Sequence, residues 1–248
     1  GGLKRSRTPL ENMARLILLF TALSLFFLVL LVFFRTPFPL YPLLSWQDVL
    51  DLLTPLALIP AYWAMYRRAS VRSAGGAADL AFMAFAALWV LGHGMHLSAN
   101  SIHNLVDAGA KRQTLDITGT DLYRLIYFFD EHPRHPVWYA GILALAGLLI
   151  AGESRAPAGI ATVGWVSWGA GVVYGLTLFC IFVEGQAVYL GLPFAAIVTA
   201  FTLRARRELA HRPLAAFFGV AFLGARLLVA GGVSWWRVSP QCTGGGIT

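Results

Sequence analysis

The sequence predicts an all-α polytopic membrane protein, one domain of seven transmembrane helices over residues 1–248 with the N-terminus cytoplasmic and the C-terminus extracytoplasmic. Three observations predict it. Hydrophobic residues make up 58% of the chain and charged residues 12%, about half the charge of an ordinary soluble domain, and mean hydropathy is +0.67. So few charges cannot coat a water-facing surface of this length. Apolar runs near the length a bilayer core requires, about 20 residues, recur along the chain. Arginines also crowd alternate loops, the pattern that orients membrane proteins.

The same composition excludes disorder, coiled coil, collagen and a disulfide scaffold. Two cysteines, Cys180 and Cys242, with no C-x-x-C spacing, exclude a zinc ribbon or a dithiol redox motif. The net charge of +7 reads as loop charge beside a membrane. No basic stripe or aromatic module accompanies it, so nucleic acid is not an expected partner; the lipid bilayer is.

The runs justify seven spans in order: about 13–34, 46–66, 77–106, 121–151, 159–183, 187–203 and 213–232. The first follows a basic start, Lys4, Arg5, Arg7 and Arg15, as in a signal peptide. Its run from Leu16 to Phe34 is too long for a cleaved segment, and Arg35-Thr36-Pro37 is no small-residue cleavage site. Pro37, Pro39 and Pro42 close it. Gly75-Gly76 precede the third span, and the sixth is short. Gly164, Gly169, Gly171 and Gly175 suggest close helix packing by the fifth. Pro213 stands where a first helical turn tolerates proline. No internal repeat divides the chain into halves, which disfavours an inverted-repeat transporter.

Orientation follows from the loops. The N-terminal basic residues, Arg67, Arg68 and Arg72, and Arg204, Arg206, Arg207 and Arg212 lie on one side. The other side mixes Arg35 with Asp48 and Asp51, and Lys111 and Arg112 with Asp107, Asp116 and Asp121. The first set should be cytoplasmic, in a membrane of the bacterial cytoplasmic (inner) type. Cys180 and Cys242 then both fall near the outer side, where a disulfide can form.

Ionisable groups within spans are costly, by roughly 2.5–3.5 kcal/mol at the centre, so their placement is informative. The third span ends G-H-G-M-H-L-S-A-N-S-I-H-N. His93, His96, Asn100 and His103 stack on one helical face over about 15 Å, with Asn104 beside them. The fourth begins Y-F-F-D-E-H-P-R-H-P-V-W, aligning Tyr127, Glu131, His135 and Trp138 on one face. Glu131 and His135 form an E-x-x-x-H pair, and Asp130 stands four residues before Arg134, with which it can pair. Pro133 and Pro136 remove amide donors and free the carbonyls of Phe129 and His132; such backbone is tolerated at membrane depth only inside protein or beside water. His132 points out of the cluster. Glu184 and Gln186 end the fifth span at the same level, and Arg226 of the seventh lies in the same half.

Each group also has a structural reading. A single intramembrane histidine is usually a helix–helix hydrogen-bond partner. Asn100 reads as an orienting or interhelical residue, Arg226 as an ion-pair or snorkelling residue, and Trp138, Trp235 and Trp236 as interfacial belt or cavity wall. The joint pattern favours a site, because histidine is the commonest metal ligand and carboxylates complete such sites.

The expected metal ligands are drawn from His93, His96, His103, His135, Asp130 and Glu131, the expected cofactor a transition metal, zinc first and iron or copper as alternatives. Glu131 or Asp130 would act as base on a metal-bound water, and Asn100, Ser98 or Asn104 would donate to a developing oxyanion. Glu184, Arg226 and Tyr127 are candidate substrate contacts. An outer-half cavity reached from the bilayer suits a lipid-like ester or amide, hence a membrane metallohydrolase. The architecture resembles in kind the ceramidase and adiponectin-receptor superfamily, whose seven-helix members hold zinc with His and Asp. His103 has Ala99, not Ser, four positions before it, and the last span has no histidine, so that family's ligand positions are not carried over.

Two other classes use the same groups. A divalent-cation or proton transporter or sensor would exploit His96, His103, Glu131 and His135, but the other half of spans three and five reads as continuous apolar sequence. A redox protein would hold two metals or haem, although the Glu-x-x-His repeats of di-iron bundles are missing. No lysine follows Lys111, which excludes a retinal Schiff base, and the loop charges oppose a G-protein-coupled receptor.

Overall fold

The computed structural model describes residues 9–69, 76–111, 117, 119–156, 164–184 and 187–238, with side chains at all of these except 9–11, 107–111, 130–131 and 232–238. The basic residues at 4, 5 and 7, together with Arg72, Arg112, Asp116, Gln186 and Cys242, therefore lie outside the described residues. So do the side chains of Asp107, Lys111, Asp130, Glu131, Trp235 and Trp236.

The described chain is helical, with no strand among the described residues. In order it forms α1 (Pro9–Leu28), a 3₁₀ turn (Leu30–Phe33), α2 (Trp46–Asp51), α3 (Thr54–Ala69), α4 (Gly76–Lys111), α5 (Asp121–Glu131), α6 (Arg134–Arg155), α7 (Trp165–Glu184), α8 (Val188–Arg204) and α9 (Pro213–Val238). Five stretches are long and apolar enough to cross a membrane: Trp46–Ala69, Gly76–Val106, Asp121–Arg155, Trp165–Glu184 and Pro213–Gly231. Two shorter apolar helices, Asn12–Leu28 and Val188–Arg204, fill the remaining places where the sequence expects spans.

The second and fourth expected spans are each two helices, and local sequence explains both breaks. Ser45 and Asp48 begin α2 with a capping box: Asp48 N–H donates to Ser45 Oγ, and Ser45 N–H donates to the Asp48 carboxylate at 2.7 Å. This short helix stops at Asp51, because Thr54-Pro55 starts a new one; proline is at home in a first turn but cannot donate within a running helix. Thr54 Oγ1 donates to Asp51 Oδ1 at 3.0 Å across the break. The second break falls at His132-Pro133, between α5 and α6, where two prolines withhold amide donors. Residues at both breaks, Asp51 and Arg134, line one cavity with the end of α1, His96 and Asn100 of α4, and the end of α7, so both breaks lie at one end of the bundle.

Close approaches hold the bundle. α4 packs along α6 through two glycines: a Cβ on Gly92 would sit 2.5 Å from the backbone nitrogen of Trp138, and one on Gly141 would sit 2.6 Å from that of Trp89. α7 packs along α9 through Gly171 and Gly175, which lie against the carbonyls of Phe217 and Ala221. Gly164 and Gly169, expected to share that role, face open space. Between these pairs, Phe20, Tyr62, Trp89, Tyr174, Phe217 and Phe218 are fully buried and meet largely edge to face. At the end opposite the breaks, the buried Glu153 carboxylate accepts the backbone N–H groups of Leu214 (3.0 Å) and Ala215 (2.7 Å), capping α9 from α6. Arg212 donates to the Glu153 carbonyl and pairs with Glu208 at 2.8 Å.

Candidate functional site: a polar cavity between broken helices

The α2–α3 break delivers Asp51 into the bundle. Its backbone carbonyl has lost its helical donor and instead accepts from His93 Nε2 of α4 at 2.8 Å. His93 is 2% exposed, and this bond assigns its proton to Nε2. The Asp51 carboxylate lies 3.5 Å from His93 Nε2 through Oδ1 and 3.9 Å from His96 Nε2 through Oδ2. The His96 ring stacks on Trp138, with centroids 5.8 Å apart and planes 12° from parallel. The glycine contact between α4 and α6 makes this stacking reachable, because Gly92 packs directly against Trp138.

The second break delivers Arg134 and His135, both buried. The Arg134 guanidinium donates through Nη1 to His96 Nδ1 and through Nη2 to His135 Nε2. A guanidinium only donates, so the two ring nitrogens are acceptors. The remaining proton of His96 is then on Nε2, facing Asp51, and that of His135 on Nδ1. The groups form one chain: His93 and His96 on Asp51, then Arg134, then His135.

Asp51, His96, Arg134 and His135 line a cavity of about 260 Å³, with Gln47, Asn100 and Glu184 completing its polar side. Its other side is apolar: Phe27, Leu28, Val29, Leu31 and Val32 from the end of α1 and the 3₁₀ turn, with Ile181 of α7. A second cavity of about 750 Å³ shares Val32, Gln47, Asn100 and Glu184 with the first and adds Arg35, Ser45, Asp48 and Asn104. Ser101 Oγ donates to Asp48 Oδ1 at 2.9 Å, tying α2 to α4 along this wall.

The expected site residues therefore separate. His96, His135, Asn100 and Glu184 meet at the first cavity, with His93 directly behind Asp51. His103 lies two turns further along α4 and packs on the rings of Tyr123 and Tyr127 of α5, 5.2 and 6.1 Å between centroids. A stripe about 15 Å long exceeds what one ion can gather. Tyr127 is half exposed, and Arg226 is exposed on α9 and lines neither cavity. Exposed His132 stacks on Phe128 at 5.2 Å, and Ser98 donates to the Gly94 carbonyl at 3.0 Å. Trp138 is a cavity wall. Asp130 and Glu131 end α5 next to the break, their side chains outside the described set.

Gln47, Asp51 and Arg134 are polar cavity residues that sequence reasoning did not place there. Asp51 reads as a loop acid balanced by Arg35. The signal that could have found it is Thr54-Pro55, a helix start inside an apolar run. Among the described residues, no group of three or more His, Cys, Asp or Glu side chains is arranged to hold a metal ion. The chemistry shown is that of a carboxylate orienting an imidazole, with a buried cation between two imidazoles. Comparison with protein-family models, with curated proteins and with solved structures returns no match to this chain.

Proposed function

We propose that the protein is a membrane-embedded, metal-dependent hydrolase acting on a lipid-like ester or amide at this cavity, which opens to the extracytoplasmic side. The observation that carries the reading is the two-sided cavity. One wall is apolar and comes from α1 and its 3₁₀ turn, and the other holds Asp51, His96, Asn100, Arg134, His135 and Glu184. A substrate with an acyl chain and a polar linkage fits both walls at once. The buried aromatic layer in the middle of the bundle supports an enzyme open to one side over a conduit.

In this reading His96 and His135 would hold a divalent ion, zinc by donor type, with Asp130 or Glu131 joining them on sequence position at the adjoining end of α5. The ion would supply an acidified water, for which Glu131, on its sequence position, would be the base. Asn100, on the wall shared by both cavities, donates to the oxyanion. The test is a panel of fluorogenic lipid esters and amides offered to the purified protein in detergent, with metal content measured in parallel. Wild type is expected to hydrolyse at least one class and to carry about one equivalent of metal, while His96→Ala loses both by at least about a hundredfold in rate, the usual scale for removing a catalytic contact. Hydrolysis unchanged in His96→Ala would defeat the reading.

A further inference from the structure

Glu184 is a carboxylate placed against its own helix. It is the last residue of α7, where the free carbonyls of a helix end already make the potential negative, and no basic residue stands in that last turn. Among the described residues it takes part in no hydrogen bond or ion pair, yet it belongs to the walls of both cavities. The other charges around it are committed. Asp48 accepts from Ser45 and Ser101, and Asp51 faces His93 and His96. Arg134 donates to His96 and His135, whose accepting nitrogens make both rings neutral. Arg35 donates through Nε to the Val32 carbonyl at 3.0 Å and lines the second cavity but not the first. Among the described side chains, the first cavity therefore sets Asp51 and Glu184 against Arg134, and the second sets Asp48 and Glu184 against Arg35. Each is one positive charge short of balance.

We propose that Glu184 selects the substrate: the lipid ester or amide carries an ammonium group next to its carbonyl, as in an amino-acid ester of a long-chain alcohol. This deepens the hydrolase reading and rests on its linkage at Asn100. Glu184 shares the junction of the two cavities with Gln47 and Asn100. A cation paired with Glu184 therefore sits beside the linkage rather than at the far end of a headgroup. The apolar wall from the end of α1 takes the chain, Asn100 the carbonyl oxygen and Glu184 the ammonium. That ammonium neutralises the carboxylate and meets the negative end of α7 at the same time. An anionic group in the same place meets Glu184 as a like charge and is rejected.

The experiment compares three dodecyl esters that differ only in the group on the carbon next to the carbonyl: glycine dodecyl ester (ammonium), dodecyl propionate (methyl) and monododecyl malonate (carboxylate). They are offered to the purified protein in a neutral detergent at about pH 6.5, where the glycine amine is charged. Hydrolysis is followed by mass spectrometry as kcat/KM. Wild type is expected to prefer the ammonium ester over the methyl ester, and Glu184→Gln to lower that ratio by about fivefold, the strong end for an exposed ion pair. Glu184→Lys, the second variant, is expected to turn the preference toward the carboxylate. Comparing ratios between wild type and variants cancels micelle partitioning and the intrinsic reactivity of each ester. Hydrolysis with the same ratio in wild type and both variants overturns the selection and leaves the hydrolase reading standing. If no ester is cleaved, the hydrolase reading fails, and the ratios are read instead from intact ester retained by the protein. A drop in Glu184→Gln then supports the ammonium site, and equal ratios or no retention overturn it.

Discussion

His93 shows how a residue picked out by sequence can hold a role different from the one its type suggests. Three histidines on one helical face invite a shared ion, yet His93 spends its Nε2 proton on the Asp51 carbonyl at 2.8 Å. The face was legible because period-3.6 spacing is local. The partner was not, because the break that exposes the Asp51 carbonyl joins residues more than forty positions away in sequence, and pairing across helices leaves no periodic trace. His103 errs the other way: it shares the face but stands two turns too far along, against Tyr123 and Tyr127. Replacing His93 with alanine leaves that carbonyl without its donor, a loss of about 1–3 kcal/mol for a buried group. The expected outcome is a lower thermal midpoint in detergent for His93→Ala than for wild type. An unchanged midpoint would mean that the bond from His93 to the Asp51 carbonyl does not hold α4 to the break.

At the scale of elements, the site exists because two helices are broken at the same end of the bundle. Five of the seven apolar runs coincide with stretches long and apolar enough to cross a membrane, and the other two with shorter apolar helices; the Pro133 and Pro136 pair marked one break, and the other hid inside a run that composition alone reads as continuous. Glycine placement is equally uneven in what sequence reveals. Gly171 and Gly175 do meet α9, whereas Gly169, on the same helix, faces open space. Helical phase decides this, and phase against a neighbour is a tertiary fact. The contrast gives a paired test on α4. A Cβ on Gly92 would lie 2.5 Å from the Trp138 backbone nitrogen, and one on Gly94 meets nothing within 4 Å. Gly92→Ala is expected to cost about 1–3 kcal/mol as overpacking and to separate His96 from Trp138 and Arg134. Gly94→Ala should be neutral or stabilising through helix propensity, worth up to about 1 kcal/mol. Thermal unfolding in one detergent reads both, and equal midpoints would mean that α4 and α6 do not cross at Gly92.

For the whole molecule, the two ends of the bundle differ in chemistry, and that difference fixes which compartment can feed the cavities. One end carries Arg67, Arg68, Arg204, Arg206 and Arg207, together with the Glu153 cap on α9. The other carries both cavities and the loop after the 3₁₀ turn, where Leu40 is 85% exposed. Basic loops stay on the cytoplasmic side because moving arginine across the bilayer is costly, so the cavity end should face outward. The chain offers a direct check. In a Cys180→Ser/Cys242→Ser background, Leu40→Cys places a thiol at the cavity end and Arg206→Cys places one in the exposed turn at the opposite end. A membrane-impermeant maleimide applied to intact bacterial cells expressing the protein is expected to label Leu40→Cys at once and Arg206→Cys only after permeabilisation. The reverse pattern would turn the cavities toward the cytoplasm, where an enzyme would meet inner-leaflet lipids and cytosolic metal pools. The lipid panel would then have to be chosen for that leaflet, while the distances linking Asp51, His96 and Arg134 would stay as they are.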